Sequence, residues 1–288
     1  MNELTESSIT SGSVNKIRKN EKTAFIFLWA AAAITVLTLI AIVGSVLING
    51  IGHLSLDFLT KEPENMGKDG GIFSIIITTI YLALFSLLIA APIGISAAIF
   101  LTEYAKEGPV IRLIRFGTET LAGIPSIIFG LFGYVFFVVF LKFRYSMVSG
   151  GLTLTFMILP TIIRTAEESI KMVPMSYREG SLALGATKWQ TIYKVVLPAS
   201  IPGILTGVIL GIGRVVGETA AVIYTAGSSL GLPNSIWRPG RTMAVHLYIL
   251  ASEGLSKSNM YATATVLIIT VLIINFTANR LIKQFIRS

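Results

Sequence analysis

Cysteine is absent from the 288 residues, which excludes disulfides, thiolate metal sites and cysteine nucleophiles. Only two histidines occur, His53 and His246. They are too few for a histidine-built metal centre, and both read as ordinary polar loop residues. Charge is scarce too: Asp, Glu, Lys and Arg make up 13% of the chain, against about 25% in soluble domains, so a water-surrounded surface is not expected. No Gly-x-x-x-x-Gly-Lys-Ser/Thr run exists, and Gly67-Lys68 is followed by Asp69, so the chain carries no P-loop of its own. His-Glu-x-x-His is also missing, which leaves a zinc protease unsupported. Gly227-Ser228-Ser229-Leu230-Gly231 has the spelling of a nucleophile elbow, but that turn needs an acid and then a histidine after the serine. No Asp or Glu lies between Ser229 and His246, so the run reads as a loop. The net charge of +8 is spread without the dense basic patch that duplex binding requires, and nucleic acid is not an expected partner.

What is abundant is apolar: 53% of the residues. Six apolar stretches, 24–48, 72–101, 125–142, 152–170, 201–226 and 260–276, predict six transmembrane helices, each near the ~20 residues that cross a ~30 Å hydrocarbon core. The first is too long for the roughly 7–15 residue core of a signal peptide. The expected fold is therefore all-α and polytopic, with membrane lipid around it. An even number of spans puts both termini on one side. Placing the termini and the 102–124 and 171–200 loops in the cytoplasm gives that side fifteen of the 23 cationic residues, against seven opposite, with Arg214 inside a span. That bias predicts both termini inside. Residues 1–22 read as a flexible cytoplasmic tail, 23–71 as the first transmembrane helix with an external loop, and 72–288 as the core. Arg238 and Arg241, in the external 227–258 segment, read as solvated loop charges or as contacts for an external protein. No internal repeat or inverted symmetry is visible, so the bundle is expected to be half of a larger pathway.

Gly203, Gly207 and Gly211 recur every four residues, a spacing that lets another helix approach closely. At about 100° per residue, Arg214 and Glu218 share their stripe. In a single 201–226 helix Arg214 lies about 18 Å from either end, where a charge is costly unless paired or facing water. Glu218 at i+4 could pair with it. The pair is either a structural clasp or part of a transport route, and a guanidinium suits an oxyanion because its planar fork matches phosphate geometry. Arg164, with Glu167 and Glu168 following, is a second candidate, or an ordinary arginine with local salt bridges.

The 178–198 segment is too polar to cross. After Gly185, Thr187 is a plausible N-cap, and Trp189, Ile192, Tyr193 and Val196 recur at i, i+3, i+4 and i+7 to give one apolar face. Such a helix could lie on the membrane or enter a partner's groove.

Glu179-Gly180-Ser181, three residues, Gly185, nine residues, then Val195-Val196-Leu197-Pro198 resembles the EAA loop of bacterial ABC-importer permeases, departing from it at Gly180, Ser181 and Val195. The runs Gly213–Ala220, Ile124–Leu131 and Glu168–Pro174 are similar to the phosphate-specific permeases of that family, and Gly70-Gly71-Ile72-Phe73 leans toward the PstA type over the PstC type. The resemblance covers roughly residues 70 to 280. It implies a MetI-like permease fold in the bacterial inner membrane, a subunit that is not itself an enzyme, and no cofactor, ATP being bound by partner subunits. The implied partners are a second permease of the PstC type, an ATPase dimer of the PstB type, an extracytoplasmic phosphate-binding protein of the PstS type, and inorganic phosphate. The expected transport path holds Arg214, Glu218, Thr219 and Arg164, and the resemblance implies that the ATPase docks on Glu179, Gly180, Ser181, Gly185, Trp189, Ile192, Tyr193, Leu197 and Pro198. The alternatives are an ABC permease for another oxyanion or polar solute, because the EAA loop is solute-neutral, or an anion transporter that works without ATP.

Overall fold

The computed structural model describes the backbone of residues 3–287 and the side chains of 21–22 and 24–280. Most side chains of the expected tail, 1–22, thus lie outside the described residues. The chain divides into two units, 1–49 and 50–288. The first is essentially the long helix α1 (Glu3–Ile51).

The second unit opens with the short helix α2 (Leu56–Thr60), capped by Ser55, whose hydroxyl accepts the Phe58 N–H at 3.1 Å. A two-stranded antiparallel hairpin follows, β1 (Pro63–Glu64) on β2 (Asp69–Gly70). Its turn is left-handed at three successive residues, Asn65, Met66 and Gly67. Helix α3 (Phe73–Ile99) continues through a π turn to Tyr104. After α4 (Pro109–Ala122) comes α5 (Ser126–Gly133), extended as a π segment to Phe140. Helix α6 (Met147–Lys171) leads into α7 (Met175–Ala183), α8 (Lys188–Thr191) and a π turn, Ile192–Val196. Then come α9 (Leu197–Val216), α10 (Ala220–Thr225), α11 (Met243–Ser252) and α12 (Lys257–Arg287).

Five helical stretches among the described residues are long and apolar enough to cross a membrane: Ala24–Ile51, Phe73–Tyr104, Met147–Lys171, Lys188–Val216 and Lys257–Arg280. The sixth expected crossing belongs to a pair, α4 and α5 with its π extension, bent by 102°. The expected fifth span, 201–226, is likewise not one helix. It stops at Val216, and α10 restarts after Gly217, Glu218 and Thr219. Glycine is a weak helix former, and the Glu218 side chain is drawn into capping the next helix instead.

Helix α6 is the hub of this unit. Its Leu154, Met157, Ile158 and Ile162 are fully buried against Leu82 and Ala90 of α3, Val215 of α9, Ala221 and Val222 of α10 and Val245 of α11. Lipid tails are as apolar as leucine, so close packing and interhelical hydrogen bonds, rather than escape from water, hold these helices together. The Thr155 hydroxyl faces the Ser86 carbonyl of α3 at 3.3 Å, and the Met243 N–H donates to Thr79 Oγ1 at 2.9 Å.

Candidate functional site

The glycine stripe of α9 packs on small polar residues of α6. A Cβ placed on Gly203 would collide with Ser169, and one on Gly207 with Thr165, whereas at Gly211 it would meet Ile158 and Ile162 at an ordinary 3.7 Å. The expected close approach is therefore present, and it fixes the level of Arg214 relative to α6.

Arg214 sits in the last turn of α9 rather than at the middle of a span, because the helix ends two residues later. There the carbonyl end of the helix dipole favours a cation. The guanidinium is half-buried and makes no ion pair or hydrogen bond with any described residue. Glu218 does not pair with it. Its buried carboxylate accepts the Ala221 N–H at 3.1 Å, satisfying one of the open donors at the start of α10. Thr219, half-buried, occupies the N-cap position of α10 without a side-chain bond. Helix α10 lodges against α5, where Gly130 leaves no room for a Cβ beside Ala221, and Gly133 none beside Thr153 and Thr225.

Arg164 has another environment. It is exposed and bound to Glu168 and Glu119, each at 3.1 Å. The Gly207–Thr165 register places it about 9 Å from Arg214 along the helix axis. Next to it, buried Glu167 receives Arg115 at 2.6 Å and Lys171 at 2.7 Å. Arg164 thus carries two local salt bridges, whereas Arg214 has no counter-charge among the described residues.

The 178–198 segment folds as expected up to a point. Gly185 takes a left-handed turn (φ 84°), and Thr187 and Gln190 form a capping box that starts α8. The apolar face then splits. Trp189 and Tyr193 are exposed and stacked, with centroids 6.0 Å apart, while Ile192 and Val196 turn inward and are fully buried. Ile192 is therefore a core residue and not part of an exposed docking face. The π turn, with its five-residue spacing, rotates successive side chains away from the 3.6-residue stripe. Glu179, Gly180, Gly185 and Pro198 are exposed and Leu197 is half-buried. The Ser181 and Thr191 hydroxyls share a hydrogen bond of 2.9 Å that ties α7 to α8.

Residues that sequence reasoning passed over hold this loop to the bundle. Arg178 donates to Glu103 at 2.7 Å and to the carbonyls of Val173 and Ile170 at 2.6 and 2.9 Å. Beside it lies a cavity of about 770 Å³, lined in part by Thr102, Lys171, Met175, Lys188 and Ile192. No spacing in the sequence signals the Glu103–Arg178 pair, because its members are 75 positions apart.

At the opposite end of the bundle, Arg241 and His246 are buried, not solvated loop residues. Arg241 donates to the carbonyls of Ser228 (2.8 Å) and Met66 (3.4 Å) and lies 3.4 Å from His246 Nδ1. His246 projects from α11 against Gly67 of the hairpin turn. Burial lowers the pKa of both groups. For His246, burial and then the adjacent Arg241 charge lower it to about 4. Three or more His, Asp or Glu side chains are nowhere grouped to hold a metal among the described residues.

The sequence profile of the family described as "Binding-protein-dependent transport system inner membrane component" matches residues 90–288. The chain is 35% identical over 263 residues to the "Probable ABC transporter permease protein YqgI" of Bacillus subtilis (strain 168), covering 86% of this chain and 90% of that protein. It is 34% identical over 264 residues to the "Phosphate transport system permease protein PstA" of Yersinia pestis, covering 91% and 89%. Among solved structures, a chain of the MetNI methionine ABC transporter in an inward-facing conformation superposes with a TM-score of 0.59 at 21% identity, covering 75% of this chain and 94% of that one. A chain of a bacterial alginate ABC transporter in complex with its alginate-bound periplasmic protein gives 0.62 at 15%, covering 88% and 93%. These likenesses establish the ABC-importer permease fold.

Proposed function

We propose that this chain, which belongs to the family of binding-protein-dependent transport system inner membrane components, forms part of the translocation path of an ATP-driven importer of inorganic phosphate. The observation that carries the reading is the half-buried Arg214 guanidinium, free of any carboxylate among the described residues at the break between α9 and α10. Half-burial without a counter-ion leaves the cation only partly compensated, and a passing oxyanion is the partner that would offset it. Its planar donors match phosphate oxygens and stay charged at any physiological pH. Relatives whose names specify phosphate transport, PstA of Yersinia pestis among them, support the choice of solute. Arg164 and Thr219 line the same route in this reading, Arg164 as a charge exchanged between its carboxylates and the solute. Glu218 holds the start of α10.

The second half of the path is a related permease of the PstC type. A secreted phosphate-binding protein of the PstS type delivers the solute outside, and a pair of ATPases of the PstB type binds ATP and docks on the 178–198 loop. The chain lies in the bacterial inner membrane with both termini in the cytoplasm, an orientation that the roughly two-to-one bias of its cationic residues supports. Closure of the ATPases pushes the loop, and Arg178, bonded to Glu103, passes the movement to α3. Phosphate shifts this two-state system through its different affinity for the outward and inward forms.

The test is uptake of radiolabelled phosphate by cells carrying Arg214→Gln. Uptake is abolished while the protein still inserts and assembles, and Arg214→Lys retains part of the rate. Normal uptake by the glutamine variant refutes the role. Uptake that persists with the partner ATPase disabled would favour a transporter independent of ATP.

A further inference from the structure

We infer that α4 is an in-plane helix whose outer face lies in the acyl chains of the lipid leaflet on the side of the 178–198 loop. The inference does not depend on which solute is carried.

The first observation is that α4 is amphipathic with its faces reversed from those of a soluble helix. At about 100° per residue, Phe116, Thr120, Leu113, Gly117, Val110, Leu121 and Ile114 fill an arc of roughly 160° that contains no charge. Val110, Leu113 and Phe116 are each about two-thirds exposed. Two of its ionic side chains, half-buried Arg115 and exposed Glu119, lie on the opposite side and bond the protein. Arg115 bonds Glu167 of α6 at 2.6 Å, Glu107 at 2.6 Å and the Leu101 carbonyl at 3.3 Å, and Glu119 bonds Arg164 of α6 at 3.1 Å. Ile111 is buried beside them. In water the folding preference would be opposite, apolar groups inward and charges outward. A helix that keeps an uncharged, two-thirds-exposed apolar face and turns Arg115 and Glu119 to bonds with the protein suits a hydrocarbon environment on that face.

Direction is the second observation. Helix α4 runs at 102° to the crossing segment Ser126–Phe140. If that segment crosses along the membrane normal, α4 lies close to the membrane plane. Length gives its depth. The crossing segment has fifteen residues, at most about 22 Å of helix, against a hydrocarbon core of ~30 Å. The deficit of about 8 Å places the corner at Gly123–Pro125 inside the layer. Interfacial amphipathic helices sink by a similar amount, about 5–10 Å.

Charge agrees with this placement. Lys106 just before α4 and Arg112 at the edge of the apolar arc are exposed and form no hydrogen bond or salt bridge with described residues, where anionic headgroups of the cytoplasmic leaflet would meet them. The alternative occupant of the apolar face is a second permease subunit, and the two differ in what reaches the side chains.

Because the chain has no cysteine, single-cysteine variants can be labelled selectively. Leu113→Cys, Phe116→Cys and Thr118→Cys, each carrying a nitroxide, are assembled into the whole transporter in vesicles containing anionic lipid. Collision with dissolved oxygen and with a water-soluble nickel chelate is then measured by electron paramagnetic resonance. At 113 and 116 oxygen collides freely and nickel does not, with a depth of about 5–10 Å, while at 118 both are slow. Fast nickel collision at 113 and 116 puts the face in water and overturns the inference. Slow collision with both reagents there means protein covers the face, and overturns it equally. Should a labelled variant fail to assemble, Phe116→Trp supplies an independent reading: brominated lipid quenches the added emission, and unquenched emission rejects the placement.

Discussion

Arg178 Nη2 lies 2.7 Å from Glu103 Oε1, and this contact joins the start of the 178–198 loop to the end of α3. Both side chains are nearly buried, and Arg178 also holds two backbone carbonyls. Losing one partner of such a pair leaves the other charge uncompensated. Arg178→Ala is expected to lower stability by about 3 kcal/mol, read as a fall in melting temperature of the purified protein. Phosphate uptake drops more than ATP hydrolysis by the assembled transporter, since the link between loop and helix is cut. The double variant with Glu103→Gln costs less than the two single losses added together, because the partners interact directly.

Trp189 and Tyr193 stack on the surface, while Ile192 between them faces inward. Replacing Trp189 and Tyr193 with Asp is expected to release the ATPase during co-purification and leave the melting temperature of the permease nearly unchanged. Ile192→Asp does the reverse in kind: it buries a charge without a partner, and the protein fails to accumulate. If both variants behaved alike, the division of the helix into a docking face and a buried face would be wrong.

Gly207 meets Thr165 so closely that no Cβ fits. Gly207→Ala is expected to cost about 1–3 kcal/mol through overpacking, seen as a lower melting temperature. Adding Thr165→Ala restores part of the loss by removing the hydroxyl that the new methyl strikes, although the Cβ at 165 still stands close. Rescue of this kind distinguishes crowding from a loss of backbone flexibility, which a change at position 165 would not repair.

His246 is fully buried next to Arg241, and its pKa falls from 6.5 to about 4. The unfolded chain therefore binds a proton between those values that the folded chain does not. Stability from this residue is complete above pH 6.5 and is lost as pH falls toward 4, by up to about 3 kcal/mol. A melting series of the purified protein from pH 7.5 to 4 shows the decline, and His246→Gln flattens it. An equal slope in the variant means that other groups set the acid sensitivity.

Hydropathy made the membrane class and most of the spans legible, because a bilayer acts on each stretch of about 20 residues locally and uniformly. The glycine stripe of α9 was readable for a similar reason: a four-residue repeat puts small residues on one side of a helix whatever packs there. The capping box at Thr187 and Gln190 is also local. The break after Val216 was only half legible. Gly217 weakens a helix, but the i+4 spacing offers Glu218 to Arg214, whereas in the fold its carboxylate accepts the Ala221 amide. The inward turn of Ile192 was hidden because a π turn does not keep the 3.6-residue period.

By itself, then, the sequence determined that the chain crosses a membrane repeatedly, that a glycine-lined helix carries an arginine, and that a polar loop stands outside with an aromatic pair. Tertiary structure alone decided which charges are neutralised and which side chains face inward. Arg115 meets Glu167 across 52 positions, Arg178 meets Glu103 across 75, and Arg241 reaches the Met66 carbonyl across 175. Local propensity acts over a few bonds of chain, whereas a charge is satisfied by whatever group the packed helices bring within about 3 Å, and only the completed packing makes that choice.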